Sequence, residues 1–514
     1  MKKCKLIFCM HMLTCCSVFG QNVGIGTTSP LYKLDVRNGS INTDSVYRIG
    51  GFTFLSTRGG NYLVGAGDGE NITFGNYNIA VGLALEGLTT GSHNIGMGFN
   101  ALDRNSTGNN NVAIGFRALE YNTVSHNVAI GSDALSSNTT GTLNTGIGSY
   151  ALGFNSTGVR NTAIGYGALH FNTSAGNNTA VGYNALYSNT RWQNTAVGNE
   201  ALSLNTIGDD NTGLGHRALM RNTTGGRNVA TGSFALDDNT TGSSNTASGY
   251  QALQANGSGS FNTAIGDLAL AGSTTASSNC AFGAKAMYFT TNSENTGIGT
   301  NALYSATDTR FNTAVGFNAA GNYEVGYNNT VVGAEADVSF DGQYNSIAIG
   351  NLAIATDNGK VRIGNFANWS YETYANWTNI SDGRYKRNIH ENVIGLDFIN
   401  RLRPVTYQLD VTALSQKTNP RATSNLADAM RTAIAEKEKM IWTGFIAQEV
   451  ETAANETGFE FSGVDKPRNE YGVYGLRYAE FVVPLVKAVQ ELSKQNDELL
   501  RRIEKLESLL KIKN

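Results

Sequence analysis

Residues 161–177 read NTAIGYGALHFNTSAGN, and at Asn178 the phrase starts again as NTAVG. An Asn opens the unit. A small residue, Ala163, stands two places before Gly165, and a larger apolar residue, Ile164, stands just before it. Ala168-Leu169 follows, and then a polar turn. The same phrase runs from Asn78 onward, with closing glycines at Gly82, Gly98 and Gly115, through Gly165, Gly182 and Gly198, to Gly350, each step being 16 or 17 residues. A fixed short period is the mark of a stacked repeat, and it takes precedence over any reading of single segments. Five residues of alternating size predict one short strand, and Ala-Leu predicts the start of a second. The Asn-Thr-Thr-Gly segments are turn chemistry. One turn cannot bury its own apolar face, but stacked turns can, so a continuous buried stripe of Ile, Val and Leu is expected. The opening asparagines, such as Asn161, Asn178 and Asn194, are expected to stack into a ladder that satisfies turn amides.

The rest of the composition fits this reading. The chain has 514 residues with 60 Gly and only 5 Pro, and charged residues make up 15%. That texture would suit a flexible linker, but 40% hydrophobic content in regular spacing argues for packed structure. A net charge of −3 argues against nucleic acid or an anionic membrane as a partner read from charge alone. No run of eighteen apolar residues is present, so no transmembrane segment is expected.

The first residues, MKKCK followed by LIFCMHMLTCC and SVFG, have the form of a secretion signal, with cleavage expected after Gly20. Neither Cys15 nor Cys16 is preceded by the small residue that lipidation needs. Export would remove four of the five cysteines and leave Cys280, which predicts no disulfide framework. Cys280 takes a repeat position held elsewhere by Thr or Val, and is read as a filler rather than a reactive thiol.

Residues 71–355 resemble the head repeats of YadA-like trimeric adhesins, with a longer period than the adhesin unit. The resemblance implies a left-handed parallel β-roll; the longer period leaves handedness open. Scattered acids such as Asp103, Glu120 and Asp133, and histidines at differing repeat positions, form no catalytic pair and no metal spacing. No cofactor or metal is expected. A glycan-degrading enzyme of the tailspike kind is the weakest of three readings.

After residue 355 the chain becomes charged. Val393, Leu396, Ile399 and Leu402 have helical spacing up to Pro404, and VTYQL reads as a strand. Residues 412–440 read as a polar insertion with a helix from about Asn425. WTGFIAQEVETAANETG reads as a strand entering a helix closed by Gly458. At the end Leu485, Leu492, Leu499 and Leu506 fill d positions, with Val489, Asn496, Ile503 and Leu510 at a. This predicts a coiled coil, and Leu at d with Asn at a leans towards a dimer.

Four blocks in order, SDGRYKRNI, LRPVTYQL, GFIAQEVE and LRYAEFVVPLVKAVQEL, resemble the intramolecular chaperone domain of endosialidases and tail fibres, the S74 peptidase family. The resemblance covers about residues 379–500. It implies that the C-terminal domain drives trimerisation of a β-rich fibre and then cuts itself off just before the Ser of the first block. On this chain the implied dyad is Ser381 and Lys386, and the implied scissile bond is Ile380–Ser381. Ser Oγ needs a base, and Lys can serve only if burial or nearby positive charge lowers its pKa. Arg384 and Arg387 would help and Asp382 would oppose. A spacing of five suits neither a strand face nor a helical i, i+4 pair, so either the SDG turn or a second subunit must bring Lys386 to Ser381.

The resulting layout is a signal peptide at 1–20, an N-terminal adaptor at 21–70, the solenoid at 71–355 and a neck at 356–378. The chaperone and autoprotease domain follows at 379–480 and the coiled-coil helix at 481–514. The predicted fold class is mainly β: a parallel β-solenoid, a small α+β domain and a terminal helix. The predicted protein is an exported or cell-surface, self-associating fibre or adhesin that processes itself, a trimer by resemblance. An unidentified surface glycan or cell-surface ligand is the expected external partner. An uncut adhesin with a permanent oligomerisation cap is the first rival.

Overall fold

The computed structural model describes residues 23–25, 34–36, 46–49, 52–65, 67–322, 325–368, 370–372, 374, 377–418 and 428–511. The expected signal peptide and the expected helix start near Asn425 lie outside these residues. The chain is mainly β, with a long parallel solenoid of about 18 turns among the described residues, a small C-terminal α+β region and a C-terminal helix. It divides into two compact units, 1–157 and 158–514.

In the first unit, Val46–Ile49, Phe52–Arg58 and Asn61–Val64 form an antiparallel meander. Asn61–Val64 then pairs in parallel with Ile79–Val81, and the ladder continues turn by turn to Thr145–Ile147. Asn61 Oδ1 accepts from the backbone N–H of Asn78 at 2.8 Å, so the Asn ladder starts ahead of residue 71. Asp68 is buried in this opening turn and accepts from the backbone of Ala84 at 2.8 Å and Gly82 at 3.1 Å. Burial pushes its carboxyl above the usual range, against those backbone hydrogen bonds.

In the second unit, three-residue strands from Thr162–Ile164 to Ile347–Ile349 stack in parallel without register shift, and Val361–Ile363 adds one more. The strand is shorter than the expected five residues. Asn and Ala point inward and Thr and Ile outward, as a period of two demands. Ala163 is fully buried whereas Ile164 is 39% exposed, as is Val197. The expected buried stripe of Ile and Val is therefore corrected: these residues line the outside, and the core is Ala and Leu. The reason is space. A Cβ built on Gly213 would already lie 3.4 Å from Cγ of Leu202, so the inward slot is held by Ala or Gly in nearly every turn, with Val331 the larger exception among the described turns.

The Ala-Leu pair does not begin a second strand either. It lies in a turn, with Leu169, Leu186 and Leu202 at φ of 53°, 52° and 52°. A left-handed Leu costs about 1–2 kcal/mol. Full burial of its side chain returns about 1.5–3 kcal/mol, so the turn holds with a small margin. The glycine that closes the Thr162–Ile164 strand has no such choice. Gly165 sits at φ 132°, and a Cβ there would come 2.3 Å from the carbonyl oxygen of Gly182.

The Asn ladder forms as expected. Asn178 Oδ1 accepts from the backbone N–H of Asn194 at 2.9 Å, and Asn194 Oδ1 accepts from Asn211 at 2.9 Å. A second ladder, unforeseen in the sequence, runs through the turn asparagines. Asn205 Nδ2 donates to Asn189 Oδ1 at 2.8 Å, and Asn222, Asn239 and Asn256 repeat the bond at 2.7 Å.

The C-terminal region is built differently. Helix α1 (Leu396–Ile399) is shorter than the spacing from Val393 to Leu402 suggests. Its N-terminal Leu396 N–H is capped at 2.8 Å by the Glu491 carboxylate, which lies on the long terminal helix. Helices α2 (Val411–Thr418) and α3 (Asp428–Glu438) lie in the expected polar insertion, and α2 was not anticipated. Val405–Tyr407 pairs antiparallel with Trp442–Gly444, which leads into α4 (Ala447–Glu456). Gly458, at φ 64°, closes that helix as expected. Phe398, Val450, Ala453, Ala454 and Phe481 form the core, with Phe459 and Phe461 packed on it. Helix α5 (Val482–Lys511) extends beyond this core. Its heptad residues Val489, Leu499, Ile503, Leu506 and Leu510 are all exposed in the single chain.

Candidate functional site

The segment joining the solenoid to this core carries the sequence-predicted site. Asp382 is the N-cap of a 3-10 turn, Gly383–Tyr385, and its side chain accepts from the Arg384 N–H at 2.9 Å. Short polar residues favour this kind of cap because they can satisfy an orphan backbone donor. The turn reverses the chain tightly enough that Lys386 returns to Ser381. Lys386 Nζ donates to Ser381 Oγ at 2.7 Å. Both groups come from one chain, so the SDG turn suffices and no second subunit is required for the contact.

The charges around this pair partly cancel. The Arg384 guanidinium binds the Asp382 carboxylate at 2.6 Å, and this hydrogen bond holds Asp382 below the usual carboxylate range. The arginine expected to help is thereby tied to the acid expected to oppose, leaving Arg387 as the other cation of the segment. Ser381, Lys386 and Ile380 are all exposed, Ile380 to 94%. The chain alone thus provides proximity and a hydrogen bond at an exposed pair.

Residues 381–459 match the Peptidase_S74 family model, described as chaperone of endosialidase. The match begins at Ser381 and includes the 3-10 turn, α1, the strand pair and α4. No curated protein matches the chain. S74 chaperone domains are associated with trimeric fibres, and one placed after a β-solenoid fits a tail-fibre-like or adhesin-like protein. The family name implies a self-cleaving peptidase type of function. No helix among the described residues is long and apolar enough to cross a membrane.

Sequence reasoning missed a second set of residues. Lys360 and Asp357, near the end of the solenoid, make ion pairs with Asp465 and Arg468 of the C-terminal region, the latter at 3.7 Å. No motif marks these residues. The partners lie far apart along the chain, and each is an ordinary surface residue by type.

Proposed function

We propose that this chain is an exported, self-associating fibre or adhesin whose C-terminal domain directs assembly and then cleaves the Ile380–Ser381 bond. The reading rests on one observation above the others: Lys386 Nζ lies 2.7 Å from the Oγ of the residue that follows the scissile bond. Ser381 Oγ attacks the carbonyl carbon of Ile380 as Lys386, in its neutral form, takes the hydroxyl proton. The C–N bond breaks, the α-amine of Ser381 leaves protonated, and an ester joins Ile380 to Ser381 Oγ. Water then hydrolyses the ester to a carboxylate on Ile380 and a free hydroxyl on Ser381. Each chain reacts once.

Exposure of the dyad sets the order of events. A lysine serves as a general base where burial or nearby positive charge favours its neutral form. Covering by neighbouring subunits would desolvate it, so assembly precedes the cut. The exposed heptad face of α5 is the element that would bring copies together, as the trimer that the family implies or the dimer that the heptads favour. The same exposure supports a second reading, in which the dyad is never covered and the domain remains as a permanent cap.

The deciding experiment expresses the chain from Gln21, confirms assembly by light scattering, and sequences any fragment from a denaturing gel. A fragment beginning at Ser381, absent from Ser381→Ala and Lys386→Met, supports self-cleavage. Full-length chain alone in assembled material leaves the permanent cap.

A further inference from the structure

Every contact between the last solenoid turn and the C-terminal region that involves Lys360, Asp357, Thr356, Phe366 or Asn368 bridges the proposed scissile bond. One partner precedes Ile380 and the other follows Ser381. Lys360 pairs with Asp465, which also holds Arg477 at 3.1 Å. Burial raises the Asp465 carboxyl, but the hydrogen bond from Lys360 and the charges of Lys360, Arg477 and Arg468 outweigh it and leave it below its ordinary range. The Asn469 side chain donates to the carbonyl of Thr356 at 2.8 Å, while its own oxygen is held by the backbone N–H groups of Tyr471 and Gly472 at 2.9 Å. Lys437, from α3, places its ammonium on the carbonyls of Phe366 at 2.9 Å and Asn368 at 2.5 Å. Burial pushes that ammonium below its ordinary pKa.

These contacts have the character of a docking surface. Each side contributes a cation and an anion, so the charges are reciprocal. The remaining donors meet backbone carbonyls, which recognise chain path rather than side-chain identity. Asp357 and Asp465 are largely covered, so their pairs are screened less than open surface pairs. Backbone cleavage at Ile380–Ser381 removes none of these bonds.

We infer that the C-terminal fragment stays docked on the last solenoid turn after the cut, through the surface formed by Lys360, Lys437, Asp465 and Asn469. Its release is then a separate, salt-sensitive event. The inference rests on the cleavage reading for its biological setting but not for its test. Two forms of the chain are compared by size-exclusion chromatography, with the cut state read separately on a denaturing gel. One is the self-processed chain. The other is Ser381→Ala with a specific protease site inserted between Trp377 and Thr378 and cut in vitro.

At about 0.1 M salt the two fragments are expected to co-elute, and at about 1 M, where screening reaches within about 3 Å, to separate. The combined variant Lys360→Glu, Lys437→Met, Asn469→Ala is expected to separate already at the lower salt. Circular dichroism of the freed fragment should match that of the parent fragment, which shows that docking and not folding was lost. Separate elution of unmodified fragments at low salt overturns the inference. Co-elution of the combined variant at low salt also overturns it, because another surface would then hold the fragment. If no self-cut occurs, the inserted site still tests docking while the cleavage reading fails by itself.

Discussion

Asn178 and Glu491 do the same chemical job in two regions of the chain. Asn178 Oδ1 accepts a backbone N–H one turn away at 2.9 Å, and this bond recurs turn after turn with the same geometry. Glu491 accepts the N–H of Leu396 at 2.8 Å across 95 residues, in a setting the described residues do not repeat. The solenoid satisfies its polar groups with interchangeable parts, and the C-terminal region with particular ones. A strand shifted by one whole turn finds almost the same partners in the solenoid, so register between copies is nearly degenerate there. The aromatic core around Phe398 offers no second fit. A region of that kind can define a register that the solenoid cannot define for itself.

The largest expected effect separates the two regions chemically. Ser381→Ala should abolish the proposed Ile380–Ser381 cut altogether, read as loss of the fragment on a denaturing gel, while the uncut chain still assembles. Next is Phe398→Ala. Removing a fully buried aromatic ring costs about 3–5 kcal/mol, enough to unfold a small domain. Denaturant melts should show the C-terminal transition lost and the solenoid transition kept. If both melt together, the two regions are not separate in stability.

A smaller effect is expected inside the solenoid. Asn205→Ala removes one of the two donors on Asn189 Oδ1, the Asn194 amide remaining, and one of the two acceptors of Asn222 Nδ2, the Gly225 carbonyl remaining. The lost buried hydrogen bonds cost about 1–3 kcal/mol in all. Because each turn rests only on its neighbours, hydrogen exchange should rise in adjacent turns and not in distant ones. A uniform rise along the ladder would show that the turns do not act as nearest-neighbour units.

How far the sequence revealed this follows from the same contrast. The period is legible because the chain writes it many times, and Asn178 and Asn194 announce their ladder by spacing. The phase of the strand is not. Alternation of Ala163 with Ile164 fits either orientation, and size alone favours Ile inward. The deciding fact is the narrow section left when Leu169 turns inward at positive φ, which no local pattern encodes. The proposed dyad, Ser381 and Lys386, is legible through four ordered blocks. Its exposure is not, since that depends on what surrounds an assembled segment. The docking pairs Lys360–Asp465 and Asn469–Thr356 span 105 and 113 residues and involve no unusual residue type, so nothing in the sequence marks them.

The smallest effect is the sharpest test of the corrected strand phase. Ile164→Ser should change solenoid stability by no more than about 0.5 kcal/mol, because a surface substitution outside any cap or core rarely does more. Ala163→Val, one residue away, should cost about 1–3 kcal/mol, since two added methyl groups crowd a fully buried slot packed around Ala. The two variants differ in opposite senses from what residue size alone suggests. The melts belong on isolated, unassembled chain, because Ile164 stands in an outward row with Val181, Val197 and Leu214 that a second copy could cover. Should Ile164→Ser destabilise the single chain more than Ala163→Val does, Ile164 points inward and the strand is packed in the other phase. Should it leave the single chain unchanged yet weaken the assembled one, the outward row is a contact between copies and the inward row belongs to each chain alone.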